Sequence, residues 1–319
     1  EQEYKELLDF ISELESLLND PEKVLEVIRK ETNELKKKYG DERRTIVHPE
    51  ELGEWKREDT EPKEEVVITL TRNGYAKRVK TDTYRRQHRG GVGKRGQRMT
   101  KEDDITPFLQ LANTHDYLLF FTDRGRVFRC RVFDLPPDQS RNSRGTPVNN
   151  LGFNIEQREQ IHEMISVSSL IEDTYLVIVT KKGQVKRMHL PLLKNMNRSG
   201  LRAFNLKNDD ELVGASLVSE HQDIVIVTAA GLSIRVASNN IRSTQRNAGG
   251  VRGINLNQRD EVVAMDVVDE DGYLLIVGKK GRGKLTAMRH YKTQRRGGKG
   301  LITLKVTTGR TGTGKVADA

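Results

Sequence analysis

The sequence predicts an all-β, propeller-like array of about five to six four-stranded blades, preceded by a short helical segment. Three observations lead there. An apolar run, a glycine turn and a basic strand recur five times at intervals of about 50 residues, while helical periodicity is confined to the first 40 or so. Only 35% of the 319 residues are apolar and 5% aromatic, which argues against one large packed globule and for several small cores. Repeats of this length, with room for four strands each, mark radial arrays.

In chain order, Leu7, Ile11, Leu14 and Leu18 fall on one helical stripe, narrow enough for one helix packed on another. Asn19-Asp20-Pro21 stops that helix and starts the next, with Asp20 as cap and Pro21 in the first turn. The second helix runs from about Pro21 to Tyr39 and ends at Gly40, so that residues 1–45 form a two-helix segment. Residues 46–65 hold two prolines, a glycine and many acids around Trp55 and read as an acidic linker. The array occupies 66–319.

Each repeat opens on a continuous apolar run: Val66–Leu70, Tyr117–Phe121, Tyr175–Val179, Ile224–Val227 and Tyr273–Val277. A run without alternation suits a strand buried on both faces, near the centre of the array. The turn glycines that follow, Gly74, Gly125, Gly183, Gly231 and Gly281, are 51, 58, 48 and 50 residues apart. Thr71, Thr122, Thr180 and Thr228 stand three residues before the first four glycines, and Arg78, Arg129, Arg187 and Arg235 four residues after them. The strand after the turn is expected to be half exposed, so these arginines would form a ring. A second glycine follows at Gly91, Gly145, Gly200, Gly250 and Gly298. Residues 301–319 match the region just after it, so a sixth, truncated repeat is expected to begin there.

Charge separates the parts. Residues 1–65 carry 21 acidic and 12 basic side chains, whereas 66–319 carry 25 acidic and 43 basic, a net +18. A body with that excess attracts polyanions, nucleic acid first. No stretch approaches the roughly 18 apolar residues of a membrane span, and the first residues are not a signal peptide. The single cysteine, Cys130, excludes an internal disulfide and fits a cytoplasmic setting. The chain opens on Glu1 without an initiator methionine and reads as part of a longer polypeptide.

The richest element is Thr293-Gln294-Arg295-Arg296-Gly297-Gly298-Lys299-Gly300. Its glycines allow close approach of the backbone, whose N–H groups can meet phosphate oxygens, while Arg295, Arg296 and Lys299 add charge. A segment in the same register lies in the first repeat, Gln87-His88-Arg89-Gly90-Gly91-Val92-Gly93, followed by Lys94 and Arg95 in a stretch without acids. Here the sequence resembles a known family. Gln294–Gly300 matches the seven-residue box of the C-terminal DNA-wrapping domain of the DNA gyrase A subunit, and the fivefold pattern is similar to that domain's β-pinwheel. Residues 1–45 resemble the helical end of the breakage–reunion region.

The resemblance implies sequence-nonspecific binding, bending and chiral wrapping of double-stranded DNA. It also implies partnership with the gyrase B subunit and a second gyrase A subunit in an A2B2 holoenzyme that introduces negative supercoils with ATP. No cofactor is expected in this segment, with ATP and Mg2+ used elsewhere in the holoenzyme, and no catalytic residue. Two departures stand out: the complete box sits in the fifth repeat, and the first repeat has His88 and Val92 where the box has Arg and Lys. The C-terminal domain of the related topoisomerase IV A subunit is the alternative, and a protein-interaction propeller is the reading from another class.

Other motifs fail on inspection. Gly309 to Lys315 has the spacing of a phosphate-binding loop, but Val316 replaces the required Ser/Thr and too few residues follow for a helix. His162-Glu163 lacks the second histidine of a zinc-protease helix, and seven scattered histidines with one cysteine make no metal set. Tyr4, Tyr39 and Tyr84 lack the setting of a cleavage tyrosine, which the resemblance places outside this chain.

Overall fold

The computed structural model describes residues 1–42, 45, 57–84, 108–170, 173–207, 209–309 and 311–319. The chain divides into two compact units, Glu1–Lys56 and Arg57–Ala319. In the first, helices Gln2–Asn19 and Pro21–Tyr39 form a hairpin. Asp20 accepts a hydrogen bond from the Glu22 N–H at 3.0 Å, and Pro21 fills the first turn of the second helix, where its missing N–H costs nothing. Two helices cannot cover each other completely, and Leu7, Ile11, Leu14 and Leu18 stay exposed.

The second unit is five β-sheets. Blade 1 has the order Phe108–Asn113, Glu65–Leu70, Tyr75–Lys80, Thr146–Pro147. Blade 2 repeats it with Ile161–Val167, Tyr117–Thr122, Arg126–Arg131 and Leu201–Arg202. Blade 3 has Leu212–Val218, Tyr175–Thr180, Gln184–His189 and Val251–Arg252. In blade 4, Val262–Val267, Asp223–Thr228 and Leu232–Ala237 are completed by Thr293–Gln294 and Leu301–Ile302 on one edge. Blade 5 has three described strands, Val316–Asp318, Tyr273–Gly278 and Gly283–Ala287.

Each of blades 1–4 is therefore finished by a short strand from the following repeat. This corrects the expectation for 301–319: Leu301–Ile302 pairs in blade 4 and Val316–Asp318 pairs in blade 5, so the segment completes existing blades rather than opening a sixth. It also moves the second glycine of the fifth repeat from Gly298 to Gly300, which precedes Leu301 as Gly145, Gly200 and Gly250 precede their own edge strands. The linker is shortened as well. Arg57–Thr60 is a helical turn and the first strand starts at Glu65; residues 46–56 lie outside the described residues.

The turns show why threonine and glycine recur. In blades 1–4 the glycine N–H donates to the threonine carbonyl at 2.9 Å, as from Gly74 to Thr71 and from Gly183 to Thr180. The threonine hydroxyl accepts the N–H four residues on, as Thr71 does from Tyr75 at 3.2 Å and Thr180 from Gln184 at 3.1 Å. The glycines take φ of +73 to +82°, which side chains resist.

The apolar runs are buried on both faces because successive residues enter successive cores. Leu118 and Phe120 pack with Ile68 and Leu70 of blade 1, whereas Leu119 and Phe121 pack with Leu176 and Ile178 of blade 3. Val177 and Val179 then meet Ile224 and Ile226, and Val225 and Val227 meet Leu274 and Ile276. Four small interblade cores replace one large one. The strand nearest the axis is not the apolar run, as its burial had implied, but the one paired to it: Phe108–Asn113, Ile161–Val167, Leu212–Val218, Val262–Val267 and Val316–Asp318 contribute to the lining of a cavity of about 670 Å³. At the ends of the series, Leu109 and Leu111 of blade 1 and Leu275 and Leu285 of blade 5 are exposed.

Candidate nucleic-acid interface

The exchanged strands position the box. In the fifth repeat the chain leaves the short helical turn Met288–His290 and runs parallel to Arg235–Val236 as Thr293–Gln294. It then loops out and returns antiparallel to Leu232–Ser233 as Leu301–Ile302. Arg295, Arg296 and Lys299 lie in that excursion and are exposed. Among the described residues none of the three has an acidic partner; Arg296 reaches only the Arg252 carbonyl, at 3.5 Å.

The glycines of the box serve packing. A Cβ on Gly300 would fall 2.4 Å from the Ser233 carbonyl oxygen, and its φ is +76°. The Gly297 N–H donates to the Gly253 carbonyl at 2.6 Å, and the Gly298 carbonyl accepts from the Asn255 N–H at 2.8 Å. The box thus leans on the strand exit of the preceding repeat, and the Gly297 N–H is spent on that contact. Gln294 sits in the edge strand, half-buried.

Three further loops occupy the same place on blades 1–3: residues 139–145, 194–200 and 244–250. Gly145, Gly200 and Gly250 approach Ala76, Val127 and Val185 as Gly300 approaches Ser233. Counting from these glycines places an arginine third in three of the four seven-residue loops, Arg141, Arg246 and Arg296. Exposed Arg198, Arg202, Arg242, Arg252, Arg289 and Lys292 stand on the same loops or their shoulders. Arg141 escapes a sequence reading that aligns the boxes on Gly298 instead of Gly300; Arg246 does not, since Gln245 to Gly250 already reads as a looser box in the fourth repeat. Gln87, Arg89, Gly90, Gly91, Lys94 and Arg95 lie outside the described residues.

The fixed-offset arginines behave differently. Arg78, Arg187 and Arg235 are buried, 5–8% exposed, and the strands that carry them are buried across four consecutive positions rather than half exposed. Each donates to a carbonyl at the short helical turn of the next repeat: Arg78 to Leu135 at 2.6 Å, Arg187 to Ser238 at 3.2 Å and Arg235 to Tyr291 at 3.4 Å. Arg129 does the same with Leu193 at 3.3 Å. Arg235 is further held by Asp223 at 2.6 Å and by Glu270, and Arg187 lies 3.6 Å from the Tyr175 ring centroid. Burial leaves Arg78, Arg187 and Arg235 no free face, so three members of the expected ring are interblade latches, while Arg129, on a half-buried strand, keeps partial exposure.

The rest of the chain supplies little chemistry. The phosphate-loop-like segment closes on itself through paired bonds between Thr307 and Thr313, at 3.0 and 3.1 Å, and is followed by the strand Val316–Asp318. Among the described residues, no His, Cys, Asp and Glu group is placed to hold a metal, and no helix is long and apolar enough to cross a membrane. Burial pushes the Cys130 thiol up, away from reactivity.

Comparison with known proteins agrees with this geometry. The family described as DNA gyrase C-terminal domain, beta-propeller, matches residues 65–110, 116–168, 174–219, 222–269 and 272–309, one segment per blade. The DNA gyrase A subunit of Clostridium acetobutylicum is 48% identical over 96% of this chain and 36% of its own length. That of Dehalogenimonas lykanthroporepellens is 40% identical over 99% of this chain and 39% of its own. The chain therefore spans under two fifths of these relatives. A gyrase A C-terminal domain structure superposes with a TM-score of 0.67 at 25% identity, covering 79% of this chain and 81% of that one. The C-terminal domain of a DNA topoisomerase IV gives 0.64 at 25% identity, covering 80% and 76%. With all five blades matched in register, the chain belongs to the DNA gyrase C-terminal β-propeller family.

Proposed function

We propose that this chain binds double-stranded DNA along the rim made by its exchanged loops, bends it, and wraps it with one handedness. The observation that carries the reading is that residues 139–145, 194–200, 244–250 and 294–300 present their basic side chains from the same edge of successive blades. Forcing roughly 20–30 bp through 40–90° costs on the order of 1–6 kcal/mol. Contacts to many phosphates offset that cost, because each neutralised phosphate releases condensed counterions. Base readout has no support, since among the described residues of blades 1–5 no helix is longer than a short turn and none can enter a groove.

In this reading the chain is the tail of a gyrase A subunit, acting with the gyrase B subunit and a second copy of the A subunit in the bacterial cytoplasm. ATP, Mg2+ and the cleavage chemistry belong to the rest of that assembly. Gln294, Arg295, Arg296 and Lys299 are the leading DNA contacts, with Gly297, Gly298 and Gly300 shaping the loop, and Arg89, Lys94 and Arg95 of the first repeat are the next candidates on their sequence alone.

The deciding experiment binds the chain to singly nicked circular DNA, seals the nick, removes the protein and reads the linking number. A shift of one sign that disappears at high salt is the expected result. Tight binding without a shift favours the topoisomerase IV-like reading, contact without chiral wrapping. Absence of binding favours a protein-interaction propeller.

A further inference from the structure

Two lysines are buried where the family of loops needs support. Lys186 and Lys77, each 1% exposed, occupy the same place in blades 3 and 1, three residues after the turn glycine. Lys186 Nζ donates to the carbonyls of Ala203, Arg246 and Ala248 at 2.8, 2.5 and 3.0 Å. Lys77 Nζ donates to the carbonyls of Arg141 and of Ser143, the latter at 3.3 Å. In both loops the accepting carbonyls belong to the second and fourth residues of a turn, closed by Ala248 N–H to Gln245 at 3.1 Å and by Ser143 N–H to Ser140 at 3.4 Å. Arg246-Asn247 and Arg141-Asn142 are the corner residues.

Blades 2 and 4 solve the problem otherwise. Phe128 and Ile234 stand at the lysine position and pack under Gly200 and Gly298, and the loops above them read Asn197-Arg198-Ser199 and Arg296-Gly297-Gly298. An ammonium beneath the loop thus goes with an Arg-Asn corner above it. An ammonium has three donors and no acceptor, which suits a turn with two carbonyls facing inward; an apolar side chain would leave them unsatisfied.

We propose that Lys186 and Lys77 are positioning residues for DNA binding: by holding two carbonyls of each turn inward, each fixes the turn that offers Arg246 or Arg141 to a phosphate. The proposal rests on the DNA-binding reading above. Neither lysine touches DNA. Their effect passes through the corner arginine.

The geometry carries a consequence of its own. A neutral amine has only two donors for the three carbonyls around Lys186, so deprotonation loosens the turn. Burial pushes the Lys186 ammonium down to about 8, with the Phe204 ring at 5.7 Å and the three carbonyls around it and, among the described residues, no acid against it. Lys77 is also lowered by burial, with Asp138 opposing and Arg141 adding to the shift. Because the folded ammonium releases its proton before the unfolded one, fold stability gains from Lys186 as pH rises from about 8 toward 10.5. DNA affinity falls over the same step. The two responses have opposite signs, which a merely structural lysine would not produce.

The test measures affinity for a short DNA duplex as a function of salt, at pH 7 and pH 9, for the 319-residue chain, Lys186→Ile, Arg246→Ala and the double variant. Lys186→Ile places there the residue type of blade 4. At pH 7 each single variant is expected to lower the slope of log affinity against log salt by about 1, and the double variant no further. By pH 9 the slopes of the unaltered chain and Lys186→Ile converge. A slope unchanged in Lys186→Ile, or losses that add in the double variant, overturn the proposal. Should Lys186→Ile not fold, an unaltered chain whose slope is the same at pH 7 and 9 overturns it equally. Failure of the unaltered chain to bind the duplex at either pH would overturn the DNA reading itself.

Discussion

Gly300 sits so close to Ser233 that a methyl group on it would come within 2.4 Å of the Ser233 carbonyl oxygen. This single approach fixes where the box loop returns to blade 4. Gly300→Ala is expected to destabilise the fold by about 2–3 kcal/mol, since strain at positive φ adds to a backbone clash. Gly281→Ala has the same φ sign but open space around it and should cost only about 1 kcal/mol. Urea unfolding of both variants checks the difference, and equal losses would show that the Ser233 contact yields.

Neutralising Arg295 and Arg296 together should lower the salt slope of duplex binding by about 2 with an unchanged melting temperature. Both side chains are exposed and free of acidic partners among the described residues, so their removal leaves nothing buried unpaired. An unchanged slope would remove them from the interface.

Arg235→Met should do the reverse. It leaves Asp223, 11% exposed, without the cation that donates to it at 2.6 Å and with only the Thr293 hydroxyl among the described residues, at 2.7 Å, still donating to that carboxylate. Breaking such a largely buried pair costs about 3 kcal/mol. The melting temperature falls while the salt slope of the folded variant stays. A reduced slope at full stability would return Arg235 to the list of DNA contacts.

Glu163 gives the axis a pH dependence. Burial beside the central cavity pushes its carboxyl up to about 7, aided by Asp266 and Asp318 and opposed by the N–H groups of Met164 and Ala215. The folded carboxyl binds its proton more tightly than the unfolded one, so its stabilising contribution is complete at acid pH, below about 4.5, and is lost as pH rises through about 7. Glu163→Gln should therefore gain about 1–3 kcal/mol on the unaltered chain between pH 5 and pH 8. Denaturant titrations at the two pH values measure that gain, and parallel behaviour would place Glu163 in contact with water.

The repeat, the turn chemistry and the doubly buried strand were legible because each rests on residues close in sequence. Thr71, Gly74 and Tyr75 build their turn locally, and Leu118 to Phe121 announce two buried faces by lacking polar residues. What escaped was pairing over 50 to 60 residues. Arg78 looks like any solvated strand residue until Leu135 is seen to supply its acceptor. Gly298 and Gly300 are equivalent by composition, and only the partner strand Leu232–Ser233 separates them. The roles of Lys186 and Lys77 were invisible for the same reason: the turn and its ammonium lie about 60 residues apart.

The exchange of edge strands also determines how the unit bears load. Thr146–Pro147, Leu201–Arg202, Val251–Arg252 and Leu301–Ile302 are each two residues long and lie on the blade before their own. A tug on one rim loop is therefore shared by two blades at once, the one on which it rests and the one from which its chain comes. Tension in a bound polymer would be passed from blade to blade as in a row of links.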